Sequence, residues 1–89
     1  MNFGELRILE LNEVGIAAIS DDAFEFLEDS LVELSLRENR LRQIPIAIGP
    51  LMHLEILDLN DNEIEYVPDD ISRNLESSLK VVLLFVFET

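Results

Sequence analysis

The stretch Leu31-Val32-Glu33-Leu34-Ser35-Leu36-Arg37-Glu38-Asn39-Arg40-Leu41 decides how this chain folds. Leucines stand at the first, fourth, sixth and last places of the frame, and an asparagine stands at the ninth. Working outward, the frame recurs at Leu54, with Leu57, Leu59, Asn62 and Ile64 in the same places. Degraded copies begin at Leu6 (Leu9, Leu11, Val14, Ile16) and at Leu79 (Val82, Leu84, Phe87, Thr89). The frames start 25, 23 and 25 residues apart. A longer period lies on top of this one. Residues 6–30 and 54–78 lie 48 apart and are identical at 11 of 25 positions, among them Leu6/Leu54, Ile8/Ile56, Asn12/Asn60 and Asp21-Asp22/Asp69-Asp70. Self-similarity of this kind marks an array in which each unit buries its flank against the next.

Inside the frame the apolar period is two, so the leucines face one way and the residues between them the other. Strands are expected at Ile8–Asn12, Glu33–Arg37, Ile56–Asn60 and Val81–Phe85. Laid side by side they form a parallel sheet, and the spacing supplies the crossover of about a dozen residues that parallel strands need. The returning segments carry the apolar residues that meet the leucines: Ile19, Phe24 and Leu27, then Ile44, Ile48 and Leu51, then Val67, Ile71 and Leu75. Ser20-Asp21-Asp22 before Ala23-Phe24 reads as a helix start, as does Asp69-Asp70 before Ile71. Pro45 and Pro68 suit turns, and Gly49-Pro50 points to a looser second crossover. Asn39 and Asn62 fall just past a strand, where a buried carboxamide can satisfy backbone groups that have lost their ladder partners. Val14 and Phe87 occupy that place in the outer copies.

These residues resemble the leucine-rich repeat family, from about Leu6 onward. The blocks Asp22-Ala23-Phe24, Glu28-Asp29-Ser30-Leu31 and Asn39-Arg40-Leu41-Arg42-Gln43-Ile44-Pro45 look most like chaoptin-type and related cell-surface proteins. The block Ile44-Pro45-x-x-Ile48-Gly49-x-Leu51-x-x-Leu54 also resembles cytosolic repeats of the scribble and Ras-binding type. The resemblance implies an α/β leucine-rich repeat solenoid. A short parallel β-sheet would line its concave face, with loops, 3-10 or short helical turns on the convex face. The chain reads as a single domain over 1–89, with repeats at about 6–30, 31–53 and 54–78 and a partial repeat at 79–89. Asn39 and Asn62 would stack as the family's structural ladder. The apolar run Val81–Phe87 suggests a piece of a longer array, or a miniature whose edge a partner or a second copy covers. The blocks favour an extracellular or cell-surface protein, with a cytoplasmic one as the alternative.

Composition narrows the function further. The 89 residues, 48% hydrophobic, make one small domain with a core. Acids outnumber bases 19 to 6, and the net charge of -13 argues against nucleic acid and against an anionic membrane surface. No apolar run approaches the roughly 20 residues of a membrane helix, so no membrane insertion by this segment is expected. Cysteine is absent, which removes disulfides and thiolate chemistry. His53 is the sole histidine, and no nucleophile elbow or glycine-rich phosphate loop occurs. Asp58-x-Asn60-x-Asn62 mimics the opening of a calcium loop, but Glu63 stands where that loop needs glycine. An enzyme, a cofactor and a metal are therefore not expected.

What is left is the outward side of the strands. By register it carries Ile8, Glu10, Asn12 and Glu13, then Glu33, Ser35, Arg37 and Glu38, then Ile56, Asp58, Asn60 and Asp61. Six of these twelve are acidic and Arg37 alone is basic, so the candidate contacts are Glu10, Asn12, Glu13, Glu33, Arg37, Glu38, Asp58, Asn60 and Asp61. Such a surface attracts a basic protein partner by complementary potential. The alternative is that these are purely structural repeats of a larger adhesion, receptor or scaffold protein, their charges serving solubility. Adjoining repeats, or self-association at the apolar C-terminal strand, are the further contacts expected.

Overall fold

A computed structural model describes residues 6–65 and the strand at 81–83. Four three-residue strands form one sheet: β1 (Ile8–Glu10), β2 (Glu33–Ser35), β3 (Ile56–Asp58) and β4 (Val81–Leu83). They lie in chain order and all neighbours are parallel. The frame sets the register, with Leu9 beside Leu34, Leu34 beside Leu57 and Leu57 beside Val82. Each strand starts at the expected residue, and the first three end two residues before the expected place; the expected end of the fourth, at Phe85, lies outside the described residues. The backbone turns left-handed soon after each of the first three, at Glu13, Glu38 and Asp61. Sheet-like bonds nonetheless continue past the strand ends, from Leu11 N–H to the Ser35 carbonyl (2.8 Å) and from Glu13 N–H to the Arg37 carbonyl (3.0 Å).

The core is built from the frame and from the returning segments. Leu31, Leu34, Leu36, Leu54, Leu57, Leu59 and Ile64 are fully buried. Phe24 and Leu27 pack against them from the first crossover, and Ile44, Ile48 and Leu51 from the second. Ile19 and the first frame's Leu9, Leu11 and Ile16 are only partly buried, because no strand lies outside β1 among the described residues.

The crossovers differ from two expectations. Ser20-Asp21-Asp22 does not cap a helix. The Ser20 hydroxyl donates to the Asp22 carboxylate (2.8 Å), tight turns follow, and a single 3-10 turn forms at Glu25–Leu27 with no side-chain cap bond. The second crossover is no looser than the first, since Pro45 leads into a 3-10 turn at Ile46–Ile48 that Gly49 closes by donating to the Ile46 carbonyl. Proline's fixed φ suits the entry to such a turn. Val67, Pro68, Asp69-Asp70, Ile71, Leu75 and Phe87 lie outside the described residues.

Candidate interaction face

The outward residues fall into rows because parallel strands set equivalent positions side by side. Ile8, Glu33 and Ile56 make one row, and Glu10, Ser35 and Asp58 the next. Ser35 interrupts the carboxylates of that second row. It is buried and donates its hydroxyl to the Asn12 side-chain oxygen at 2.7 Å. That oxygen also accepts from the Arg37 backbone N–H at 2.8 Å, so Asn12 clamps the end of β2. Arg37 turns toward β3, its Nε 3.5 Å from a largely buried Asp58 carboxylate oxygen. The other Asp58 oxygen accepts the Asn60 N–H at 3.0 Å. Asp58 is thus committed within the sheet, whereas Glu10, Glu13, Glu38 and Asp61 are exposed. Glu33 and Asn60 are half-buried. All nine sequence-derived candidates lie along the strands and the turns after them: Glu10, Glu13, Glu38 and Asp61 are exposed carboxylates, the side chains of Asn12, Arg37 and Asp58 bond across or within the sheet, Glu33 is half-buried, and the Asn60 side-chain oxygen is buried without a hydrogen-bond partner.

The last acidic row has an origin that composition alone does not reveal. Glu13, Glu38 and Asp61 have φ of 55, 55 and 61°. The chain leaves the sheet through a left-handed residue at the same place in each of the first three repeats, and each of these residues is a carboxylate exposed to solvent. A non-glycine residue at such φ is uncommon. The leucine pattern does not indicate this turn; at Glu38 and Asp61 an asparagine follows it, and at Glu13 Val14 does.

That asparagine anchors the turn. The Asn39 carboxamide donates to the carbonyls of Leu11 (2.9 Å), Leu36 (3.0 Å) and Arg37 (3.1 Å). Its oxygen accepts from the N–H groups of Val14 (3.2 Å) and Ile16 (3.0 Å) in the preceding repeat. Asn62 repeats the arrangement one unit on, donating to Leu36 (2.8 Å) and Leu59 (3.2 Å) and accepting from Leu41 N–H (3.0 Å). Val14 has no carboxamide to offer in the first repeat, and its turn instead contains Gly15 at φ 74°.

Among the described residues no group of three or more metal-ligating side chains converges, and no helix is long and apolar enough to cross a membrane. His53 is exposed.

Comparison with known proteins agrees with this geometry. A family model described as leucine rich repeat matches residues 4–64. The chain is 35% identical over 79 residues to the mouse transforming growth factor beta activator LRRC32, covering 89% of this chain and 12% of that protein. It is 47% identical over 36 residues to human leucine-rich repeat protein 1, covering 40% of this chain and 9% of that one. It is 37% identical over 67 residues to the bovine geranylgeranyl transferase type-2 subunit alpha, covering 73% and 11% respectively. The chain thus spans about a tenth of the length of these relatives. No solved structure gives a significant match.

Proposed function

This chain belongs to the leucine-rich repeat family, and on that premise we propose that it is a protein-binding module which takes a basic protein partner on its strand side. Domains of this family generally mediate protein–protein interaction, and the family is generally non-enzymatic. The repeats wind as a short solenoid, with the sheet on the concave side and Asn39 and Asn62 as its internal ladder. The observation that carries the reading is the exposed acidic set Glu10, Glu13, Glu38 and Asp61, whose positions the register and the left-handed turns fix. A preset row of carboxylates meets a lysine- or arginine-rich surface with little reordering, which favours fast, salt-sensitive association. Arg37, the one base of this face, is paired with Asp58 of the next strand.

The test compares two variants of equal net charge. Glu10→Lys, Glu38→Lys and Asp61→Lys together change the formal charge by +6, from -13 to -7. Asp21→Lys, Glu25→Lys and Asp29→Lys make the same change at exposed positions off the strands. Binding of an arginine-rich peptide, followed by calorimetry at about 0.1 M salt, should weaken about tenfold or more in the first variant and far less in the second. Equal losses in both would reduce the effect to net charge and remove the face from the account. Because the chain covers so little of its relatives, a second reading has support too: these repeats extend a longer array without contacting its partner. In that case neither variant changes binding.

A further inference from the structure

The first two seams of the sheet are each crossed by a diagonal pair of side chains. The residue at the seventh place of one frame meets the residue at the fifth place of the next. Across β1–β2 these are Asn12 and Ser35, and the Ser35 hydroxyl donates to the Asn12 side-chain oxygen at 2.7 Å. Across β2–β3 they are Arg37 and Asp58, with Nε 3.5 Å from a carboxylate oxygen. The two pairs differ in chemistry but share a place, and each matches a donor to an acceptor. Across β3–β4 the register sets Leu83 in the place of Ser35 and Asp58. The residue diagonal to it is Asn60, and a leucine side chain offers neither donor nor acceptor. The Asn12 oxygen takes two donors, the Ser35 hydroxyl and the Arg37 N–H. The Asn60 oxygen, in the same frame place, is buried and takes none.

We propose that the β3–β4 seam is a built-in point of opening, at which β4 parts from β3 while β1, β2 and β3 stay together. The mismatch between Asn60 and Leu83 drives it. A buried acceptor without a donor favours any state in which water reaches it, so opening this seam gains Asn60 a hydrogen bond. Opening either of the other seams does the reverse, because it breaks a diagonal pair already made. The two asparagines of the turns hold those seams as well. Asn39 ties the second repeat to the Leu11 carbonyl and to the N–H groups of Val14 and Ile16 in the first. Asn62 ties the third to the Leu36 carbonyl and the Leu41 N–H of the second. Parting β4 from β3 breaks neither set. The first three strands therefore open as one unit and the fourth ahead of them, in the way that proteins open locally at their least satisfied contacts.

Amide hydrogen exchange of the whole chain, followed residue by residue, tests the proposal. Leu83→Thr places a hydroxyl at the fifth place, and Leu83→Val has nearly the same shape without one. Exchange across Val81–Leu83 should be about tenfold slower in the threonine variant than in the valine variant, with the Glu33–Ser35 amides unchanged. In chains that also carry Asn60→Ala the difference should vanish, because the acceptor is gone. Asn60→Ala alone leaves β4 untouched and removes only the unpaired oxygen, so it should not speed exchange across Val81–Leu83. Equal exchange in the threonine and valine variants would overturn the proposal, as would a difference that persists without Asn60. A rise of about tenfold in Asn60→Ala alone would overturn it too, since that oxygen would then be holding the seam shut. So would a slowing shared evenly by all four strands, which marks opening of the whole sheet instead of β4.

Discussion

Asn39 concentrates more hydrogen bonds between repeats than any other side chain described, because its carboxamide sits where two turns pass each other. It is 7% exposed and makes five contacts with backbone groups. Removing it strands donors and acceptors that water reaches poorly, and an unpaired buried polar group costs about 1–3 kcal/mol. Asn39→Ala should therefore lower stability by about 2–3 kcal/mol in urea unfolding, whereas Asn39→Ser, which keeps a donor and an acceptor, should cost less. A loss below about 0.5 kcal/mol would mean that the turn reorganises around the gap. Glu38 gives a second residue-scale expectation. Its φ of 55° suits glycine and strains a β-branched residue. Glu38→Val should destabilise by about 1–2 kcal/mol and Glu38→Gly should be near neutral, as read from thermal midpoints of the two variants. Both roles were only partly legible beforehand. The asparagines announced themselves by falling at one frame position, but glutamate as a residue type gives no sign of the left-handed backbone at Glu13 and Glu38, and only Asp61 belongs to a type that favours it.

At the scale of elements, the leucine period placed every strand start, because a side chain that must face a core tolerates no slip of register. It set the first three strand ends two residues too late, at Asn12, Arg37 and Asn60, where the chain keeps its sheet bonds but bends away. Ser20-Asp21-Asp22 precedes a short helical turn as expected, a 3-10 turn at Glu25–Leu27, but does not cap it, because serine bonds to its neighbour Asp22 instead of to a backbone N–H. The same period predicts how unevenly the strands bear truncation. Leu34 and Leu57 are fully buried between neighbours, while Leu9 is half-buried at the edge. Leu34→Ala and Leu57→Ala should each cost about 3–5 kcal/mol and Leu9→Ala less than half of that. Equal costs at all three would contradict the half-buried setting of Leu9.

For the molecule as a whole, the exposed charge and the exposed apolar residues lie in different places. The exposed carboxylates Glu10, Glu13, Glu38 and Asp61 lie at the strands and the turns after them, and the apolar residues Leu6 and Ile8 lie at the β1 edge. The acidic composition was evident from residue counts, and the rows followed from the frame. The withdrawal of Ser35 and Asp58 into hydrogen bonds was not, because it depends on Asn12 and Arg37 from neighbouring repeats reaching across. Raising salt should loosen a basic ligand on the strand side. The most direct measurement of the central claim is a titration of isotope-labelled protein with an arginine-rich peptide, followed by amide chemical shifts in dilute protein at low salt. The account expects the largest changes at Glu10, Glu13, Glu38 and Asp61, fading as salt is raised, with Phe26 and Ile46 unmoved. Changes centred on Phe26 and Ile46, or none anywhere, would contradict it.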